Sequence, residues 1–353
     1  MNEKGSDKYT ELAGRLGYAQ SDRFRRILEF LMTPEQAAIV AELPKPAEEL
    51  SAKLDFEVST IKRHLESLFR RGVIIPRNFE TMEGAKFVRE PMQLHDSTMS
   101  PLRYDPVRHG TLFQLWNEFC EAEFDRDNAA NWMKLDEPMM RIVPAYKSVM
   151  DSPEILPSED VRELVRANWP LAVVACTCRQ QKESAGKKCK VSHAAVCVQL
   201  GRSAEYAITR GSGTKLSLDD ALAIVDEVEE DGAVHMWLNN DSPKFAVLCN
   251  CCWDCCAILS PILRYRVPPT KMYAKSRYEA RVVPDECVGC GLCVERCPFN
   301  AITLADKDSS ATVDVDKCMG CGVCSVGCDA NAMRMELVRP KDHIPPAPQR
   351  KAS

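Results

Sequence analysis

Eight cysteines near the carboxyl end constrain this chain more than any other feature. Cys287, Cys290, Cys293 and Cys297 form one run, followed by Pro298, and Cys318, Cys321, Cys324 and Cys328 form a second run 31 residues later. Each run reads C-x2-C-x2-C-x3-C. That spacing lets three thiolates of one loop bind three irons of a cube, while the fourth cysteine reaches the other cube. The expected ligand sets are therefore Cys287, Cys290, Cys293 and Cys328, and Cys318, Cys321, Cys324 and Cys297. Thiolate is a soft ligand suited to iron–sulfur clusters and to zinc. A zinc ion, however, is satisfied by one closed set of four donors. The doubled runs favour two [4Fe–4S] clusters.

The repeat extends beyond the cysteines. Val282-Val283 leads into the first run and Thr312-Val313-Asp314-Val315 into the second, and Asn300-Ala301-Ile302 corresponds to Asn331-Ala332-Met333. Gly291 and Gly322 follow the second cysteine of each run, where the backbone must pass close to the inorganic core. Residues 279–338 resemble a bacterial-type two-cluster ferredoxin, over about a sixth of the 353 residues. One departure is Asp329 after Cys328, where the first run has proline. A carboxylate there could lower a cluster's potential; a solvated turn residue is the plainer expectation.

The length suits two or three domains. The net charge of −5 argues against a general nucleic-acid-binding surface. Eighteen cysteines, no signal-like amino terminus and no apolar run long enough to span a bilayer point to a cytoplasmic protein whose cysteines bind metal. Oxygen-sensitive clusters suit an anaerobe.

Residues 1–90 read as a winged helix. Phe24, Ile27, Leu28 and Leu31 have helical spacing. Thr33-Pro34-Glu35-Gln36 is a helix start with a capping box. A helix over Pro46–Leu54, a turn at Asp55–Val58 and a helix bearing Ile61, Leu65, Leu68 and Phe69 follow, ending at Gly72. Val73-Ile74-Ile75 and Lys86-Phe87-Val88 would form the wing. This order resembles the winged helix-turn-helix of bacterial regulators, which implies a recognition helix offering Thr60, Lys62, Arg63, Arg70 and Arg71. Yet the segment holds 15 Lys/Arg and 15 Asp/Glu. A DNA-binding domain usually carries a basic excess, so protein docking or dimerisation is the alternative.

Residues 91–165 form a helical connector. Pro91, Pro101, Pro106 and Gly110 interrupt its start. Leu112, Leu115, Trp116, Phe119 and Phe124 mark an amphipathic helix that contains Cys120. Arg141-Ile142-Val143 reads as extended, and Ser158 reads as the N-cap of another helix.

Residues 166–278 hold a second cysteine field. A buried strand, Leu171–Ala175, runs into a metal loop with Cys176 and Cys178; Cys189 and Cys197 follow. A helix from Asp219 to Glu230, a strand over Ala233–Trp237 and a strand from Lys244 lead to Cys249, Cys251, Cys252, Cys255 and Cys256. Side chains of adjacent strand residues face opposite ways, so Cys251/Cys252 and Cys255/Cys256 could serve different centres. At least one further iron–sulfur cluster is expected among these nine, with zinc at Cys176, Cys178, Cys189 and Cys197 as the alternative. Arg179 could donate to a cluster sulfur. His193 could ligate metal, whereas His235 reads as structural. Lys187, Lys188 and Lys190 could dock an acidic donor. The pattern CxCR…CNCCxxCC resembles ferredoxin-like proteins of anaerobes in which this field precedes a two-cluster ferredoxin, often behind a winged-helix segment. The tandem cysteines also resemble heterodisulfide reductase domains, but the CCG signature is missing.

The expected fold is α+β and multidomain: a winged helix (1–90), a helical connector (91–165), a cysteine-rich α/β domain (166–278), a two-[4Fe–4S] ferredoxin domain (279–338) and a disordered tail (339–353). The expected function is low-potential electron transfer with a larger redox enzyme or donor protein as partner. One alternative is a redox enzyme reducing a disulfide or corrinoid at the middle field. The other is a redox-sensing DNA-binding regulator, for which a homodimer would be expected. No nucleotide-binding glycine motif is present.

Overall fold

The computed structural model describes residues 3–100, 105, 107, 109–189, 196–240, 246–306 and 309–344. Expectations at Pro101, Pro106, Lys190, His193, Lys244 and residues 345–353 lie outside the described residues. The chain divides into two compact units. The first comprises Met1–Phe124, Gln180–Lys187 and Tyr206–Thr214; the second comprises Asp125–Arg179, Lys188–Glu205 and Lys215–Ser353.

The first unit begins with α1 (Glu3–Arg15), α2 (Asp22–Leu31), α3 (Pro34–Glu42), α4 (Ala47–Leu54) and α5 (Val58–Arg71). The capping box forms: Gln36 N–H donates to Thr33 Oγ1 and Thr33 N–H to Gln36 Oε1. Gly72 closes α5 in the left-handed region. Strands β1 (Ile74–Ile75) and β2 (Lys86–Phe87) then pair antiparallel. Next come α6 (Pro91–Thr98) and α7 (Gly110–Phe119), which continues through a π-turn at Cys120–Phe124. Phe24, Tyr18, Trp116, Phe119 and Phe124 form an aromatic core. Cys120 is buried.

The second unit is built on a seven-stranded sheet. Its elements begin with α8 (Asp125–Trp132), β3 (Met140–Val143), α9 (Tyr146–Val149), α10 (Val161–Ala167), β4 (Leu171–Val174) and the start of α11 (Thr177–Ser184), which belongs to the first unit from Gln180. They continue through β5 (Cys197–Leu200), the start of α12 (Arg202–Arg210), which belongs to the first unit from Tyr206, β6 (Thr214–Lys215), α13 (Leu218–Glu230), β7 (Val234–Leu238) and β8 (Ala246–Cys251). After α14 (Leu259–Arg264), α15 (Pro269–Met272) and β9 (Tyr273–Ala274), the sheet order is β6-β4-β5-β8-β7-β3-β9. Only the β3–β9 edge pairing is parallel among those described. Because β4 and β8 both run antiparallel to β5, the end of β4, the start of β5 and the end of β8 lie side by side. Those are the positions of Cys176, Cys197, Cys249 and Cys251.

The carboxyl-terminal part adds β10 (Tyr278–Val282), α16 (Leu292–Arg296), β11 (Ile302–Thr303), β12 (Thr312–Val313), α17 (Val323–Val326) and β13 (Met333–Leu337). Strands β10 and β13 pair antiparallel, as do β11 and β12, so the flanks of the two cysteine runs close on each other. Asn300 and Asn331 both adopt the left-handed conformation, at φ 51° and 53°, so the sequence repeat is also a backbone repeat.

Three expectations need correction. The cap of α10 is Asp160, which accepts from Arg162 and Glu163 N–H, and not Ser158. Ser158 is buried, with its carbonyl accepting from Arg141. Cys178 lies in the first turn of α11 and not in a loop. The start of the tail is also held in place: Arg339 donates to Ser276 O at 2.7 Å and to Glu279 Oε1 at 2.5 Å, and Ile344 is buried.

Arg277 and Glu159 form an ion pair at 2.7 Å with both side chains 2% exposed. Glu159→Ala would leave the guanidinium buried without its carboxylate, a loss of about 3–5 kcal/mol. Anaerobic urea denaturation of the variant should show that loss, and pairing it with Arg277→Met should restore most of the stability.

Candidate metal centres

The two carboxyl-terminal runs surround two cavities. The first is lined by Cys287, Cys290 and Cys293 of the first run and Cys328 of the second. The second is lined by Cys318, Cys321 and Cys324 of the second run and Cys297 of the first. Around these sulfurs the walls carry only hydrocarbon, glycine and methionine: Val282, Leu304 and Met333 in one, Phe299, Met319 and Met335 in the other. The donor set therefore fits a soft, multinuclear thiolate-bound group in each.

Backbone N–H groups reach the sulfurs: Ala311 to Cys287 Sγ at 3.5 Å and Ala301 to Cys297 Sγ at 3.4 Å. The hydrogen bond from Ala311, with one from Gly289, holds the Cys287 thiol below the usual cysteine range. Burial acts the other way and pushes the Cys321 and Cys324 thiols up. Thiolates at those two positions therefore need a cation to keep them ionised. The first cavity is nearer solvent: Cys290 is exposed, and Val288 and Leu292 beside it are 65% and 37% exposed. In the second, Cys318, Cys321 and Cys324 are all buried. Asp329 is exposed, as a turn residue would be.

A family model described as "4Fe-4S binding domain" matches residues 280–303. The ferredoxin-like region thus binds at least one [4Fe–4S] cluster. No curated protein and no solved structure matches the chain.

The nine middle cysteines separate into two groups. Cys189 Sγ lies 3.4 Å from Cys252 Sγ and 3.9 Å from Asp254 Oδ1. Together with Cys255, these four donor atoms all lie within 4.8 Å of one another. The other group is a chain of neighbouring thiols. Cys197 contacts Cys176, Cys176 contacts Cys178, Cys178 contacts Cys256, and Cys251 contacts both Cys256 and Cys249. Cys251 and Cys256 are 3.4 Å apart, but among the described residues no three sulfurs of this group come as close together as the first set does. Cys249 and Cys251 share a face of β8, as alternate strand residues must. The neighbours Cys251/Cys252 and Cys255/Cys256 do part into different groups.

Two residues stand beside these groups, Arg179 and Tyr273. Arg179 is buried and donates to Asn250 O at 2.9 Å. Burial works against its charge, but the nearby Cys176 and Cys252 thiols outweigh that and hold the guanidinium firmly protonated. Hydrogen bonds from Cys189 and Cys255, and then the Arg179 charge, hold the Cys252 thiol far below its usual range. The buried Tyr273 hydroxyl has no hydrogen-bond partner among the described residues. Burial raises its pKa, and so do the charges of Cys256, Cys251, Cys249 and Cys178, which surround it. His235 is structural, bonded to Asn250 Oδ1 at 2.7 Å and Glu229 Oε1 at 3.1 Å. Lys187 pairs with Glu121 at 3.3 Å.

Asp254 and Tyr273 were missed as site residues. Asp254 stood within the tandem-cysteine motif, and a carboxylate between cysteines was the available signal. Tyr273 reaches the thiols through the β3–β9 pairing, and no local pattern announces that.

Gly291 and Gly322 are the N-caps of α16 and α17, at φ 80° and 76°. A Cβ on Gly291 would meet Leu304 Cδ1 at 3.4 Å, whereas one on Gly322 would overlap Ser148 Oγ. Gly322→Ala should therefore lower iron content per chain far more than Gly291→Ala. Anaerobic iron and sulfide assays of the two variants would check this; equal iron retention would remove the close-packing argument.

Proposed function

We propose that this chain is an iron–sulfur electron-transfer protein that passes single low-potential electrons to or from a larger redox enzyme. Two [4Fe–4S] clusters would be held in its ferredoxin-like region, one by Cys287, Cys290, Cys293 and Cys328, the other by Cys318, Cys321, Cys324 and Cys297. The observation carrying this reading is the exchange of the fourth cysteine: each cavity draws three sulfurs from one run and one from the other. A cluster of this kind cycles between two states that differ by one electron. The protein's part is to hold thiolates in a dry, apolar pocket and to offer one exposed edge. Cys290, Val288 and Leu292 form that edge and are where a partner would dock.

A further iron–sulfur centre in the middle field is best placed at Cys178, Cys249, Cys251 and Cys256, with Cys176 and Cys197 adjoining. Two observations support it. The Tyr273 hydroxyl lies near these four and has no other hydrogen-bond partner among the described residues. Cys249, Cys251 and Cys256 also share one apolar core with Cys297 and Cys321, across Phe299, Met319 and Tyr273.

Residues 1–90 we read as a winged-helix domain used for protein docking. In support, the basic side chains of α5 are largely engaged: Arg71 donates to Leu31 O at 2.9 Å, Arg70 pairs with Glu66 at 3.1 Å, and Lys62 lies 3.5 Å from Glu48. Tyr206 packs against Phe69 and Phe79 and donates to Ile74 O at 3.3 Å, which fastens the two-stranded wing. A reducing, cytoplasmic setting would keep the thiols available.

Full-length protein purified without oxygen should carry about eight irons in the ferredoxin-like region and about four more in the middle field, with matching sulfide. Cys321→Ser should lose about four of them and one set of EPR signals in the reduced protein. Iron-free protein, or iron that a strong reductant leaves EPR-silent and unreduced, would overturn the reading.

A further inference from the structure

We propose that Cys189, Cys252, Asp254 and Cys255 form a site for one mononuclear tetrahedral cation, zinc by its chemistry, separate from the iron–sulfur centres. The inference does not depend on the electron-transfer reading. It begins with spacing. A single zinc holds thiolates at about 2.3 Å and carboxylate oxygen at about 2.0–2.2 Å, so tetrahedral sulfur neighbours stand about 3.8 Å apart. The four donor atoms here all lie within 4.8 Å of one another, with Cys189 Sγ 3.4 Å from Cys252 Sγ and 3.9 Å from Asp254 Oδ1. A cubane places each thiolate on a different iron, with the width of the core between sulfurs; it is the closeness of all four donors together, and not one short pair such as Cys251 and Cys256 at 3.4 Å, that marks a single ion. The eight carboxyl-terminal cysteines are arranged in that manner, around cavities. Among the described residues, no three of their sulfurs come as close as this set does.

The donor types agree with the spacing. Three thiolates and a carboxylate suit a borderline-soft ion with no geometric demand of its own. Cys252 and Cys255 form a C-x2-C turn, the usual half of a structural zinc site, and Cys189 arrives from a distant segment to close it. Val196, Val228 and Ala233 pack around the cysteines, of which Cys252 and Cys255 are buried, while Cys189 and Asp254 are half-buried. Three thiolates and one carboxylate on a divalent ion leave two negative charges in excess. The buried Arg179 guanidinium, beside Cys252 and Cys189, offsets one of them. All four positions being filled by protein, the ion would act as a staple. It would pin the Cys189 segment against the turn that follows β8.

The test uses the full-length protein, prepared anaerobically with both metals supplied. Metal analysis should find about one zinc per chain alongside the iron, and zinc-edge X-ray absorption should show about three sulfurs near 2.3 Å and one oxygen near 2.0 Å. Cys252→Ser should release that zinc while iron, sulfide and the EPR spectrum of the reduced protein stay as in the parent. Zinc-free parent protein, or a Cys252→Ser variant that instead loses about four irons, would overturn the proposal. Should Cys252→Ser fail to fold, Asp254→Asn answers the same question: zinc transfer to a chelator should be at least about tenfold easier. Unchanged retention in that variant would remove the carboxylate from the site and overturn the four-donor set. Loss of iron from Cys290→Ser or Cys321→Ser with zinc retained would separate a failure of the cluster reading from a failure of this one.

Discussion

The ionisation of buried sulfur governs the second unit. A thiol carried into an apolar pocket prefers to keep its proton, because the charged form loses its hydration there. Cys321 and Cys324 show the effect: burial, and then the neighbouring sulfurs, push both up, and at Cys321 the backbone N–H groups of Val323 and Cys321 offset only part of it. A pocket lined with several such groups is stable as a set of thiolates only if cationic metal is part of the fold. At the edges the protein supplies partial substitutes. Ala311 and Ala301 turn backbone N–H groups toward Cys287 and Cys297, and Arg179 places a full positive charge beside Cys252. The gradient from exposed Cys290 to buried Cys318, Cys321 and Cys324 follows from the same balance, with solvent stabilising what the core cannot.

Holding those sulfurs in place requires the sheet and the ferredoxin-like region to be one packed body within this unit. Arg296 links them most directly. Its guanidinium donates to Val323 O at 2.8 Å, inside the ferredoxin-like region, and to Glu229 O and Glu230 O at 2.9 Å, at the end of α13. Ala145 N–H donates to Cys321 O at 3.0 Å, and Ser276 Oγ to Gly320 O at 2.7 Å, so the second cysteine run is clasped by segments that precede it. Glu229 completes the arrangement from within. It is wholly buried, caps the start of α9 through Tyr146 and Lys147 N–H, and is bonded by His235. Burial pulls against its charge, but the bonds from His235 and the two backbone groups prevail and keep it ionised. One buried carboxylate thereby fixes α9, α13 and β7 around the second cavity.

How much of this the sequence discloses depends on the range of the interaction. Contacts a few residues apart were legible. The Thr33–Gln36 box, the Gly72 stop and the two cysteine runs are set by local spacing, and each is where the pattern puts it. The Asp160 cap was displaced from Ser158 by long-range demands, since Glu159 is drawn to Arg277 and the Ser158 carbonyl to Arg141. The division of the nine middle cysteines was beyond local reading for the same reason. It follows from β4 and β8 both lying antiparallel to β5, and strands of four to six residues give little periodicity from which to infer a neighbour.

That strand order also explains why adjacent cysteines part company. Cys249 and Cys251 leave β8 on one face and meet Cys178 and Cys256 beneath Tyr273. Cys252 is the first residue past the strand, so its side chain is free of the sheet's alternation and turns with Cys255 toward Cys189. Six residues of sequence, from Cys251 to Cys256, thus feed two thiol groups of different spacing. Shifting β8 by one residue against β5 and β7 would turn Cys249 and Cys251 to the opposite face and break up both groups. The register Val198↔Leu248 and Met236↔Cys249 therefore decides which sulfurs meet.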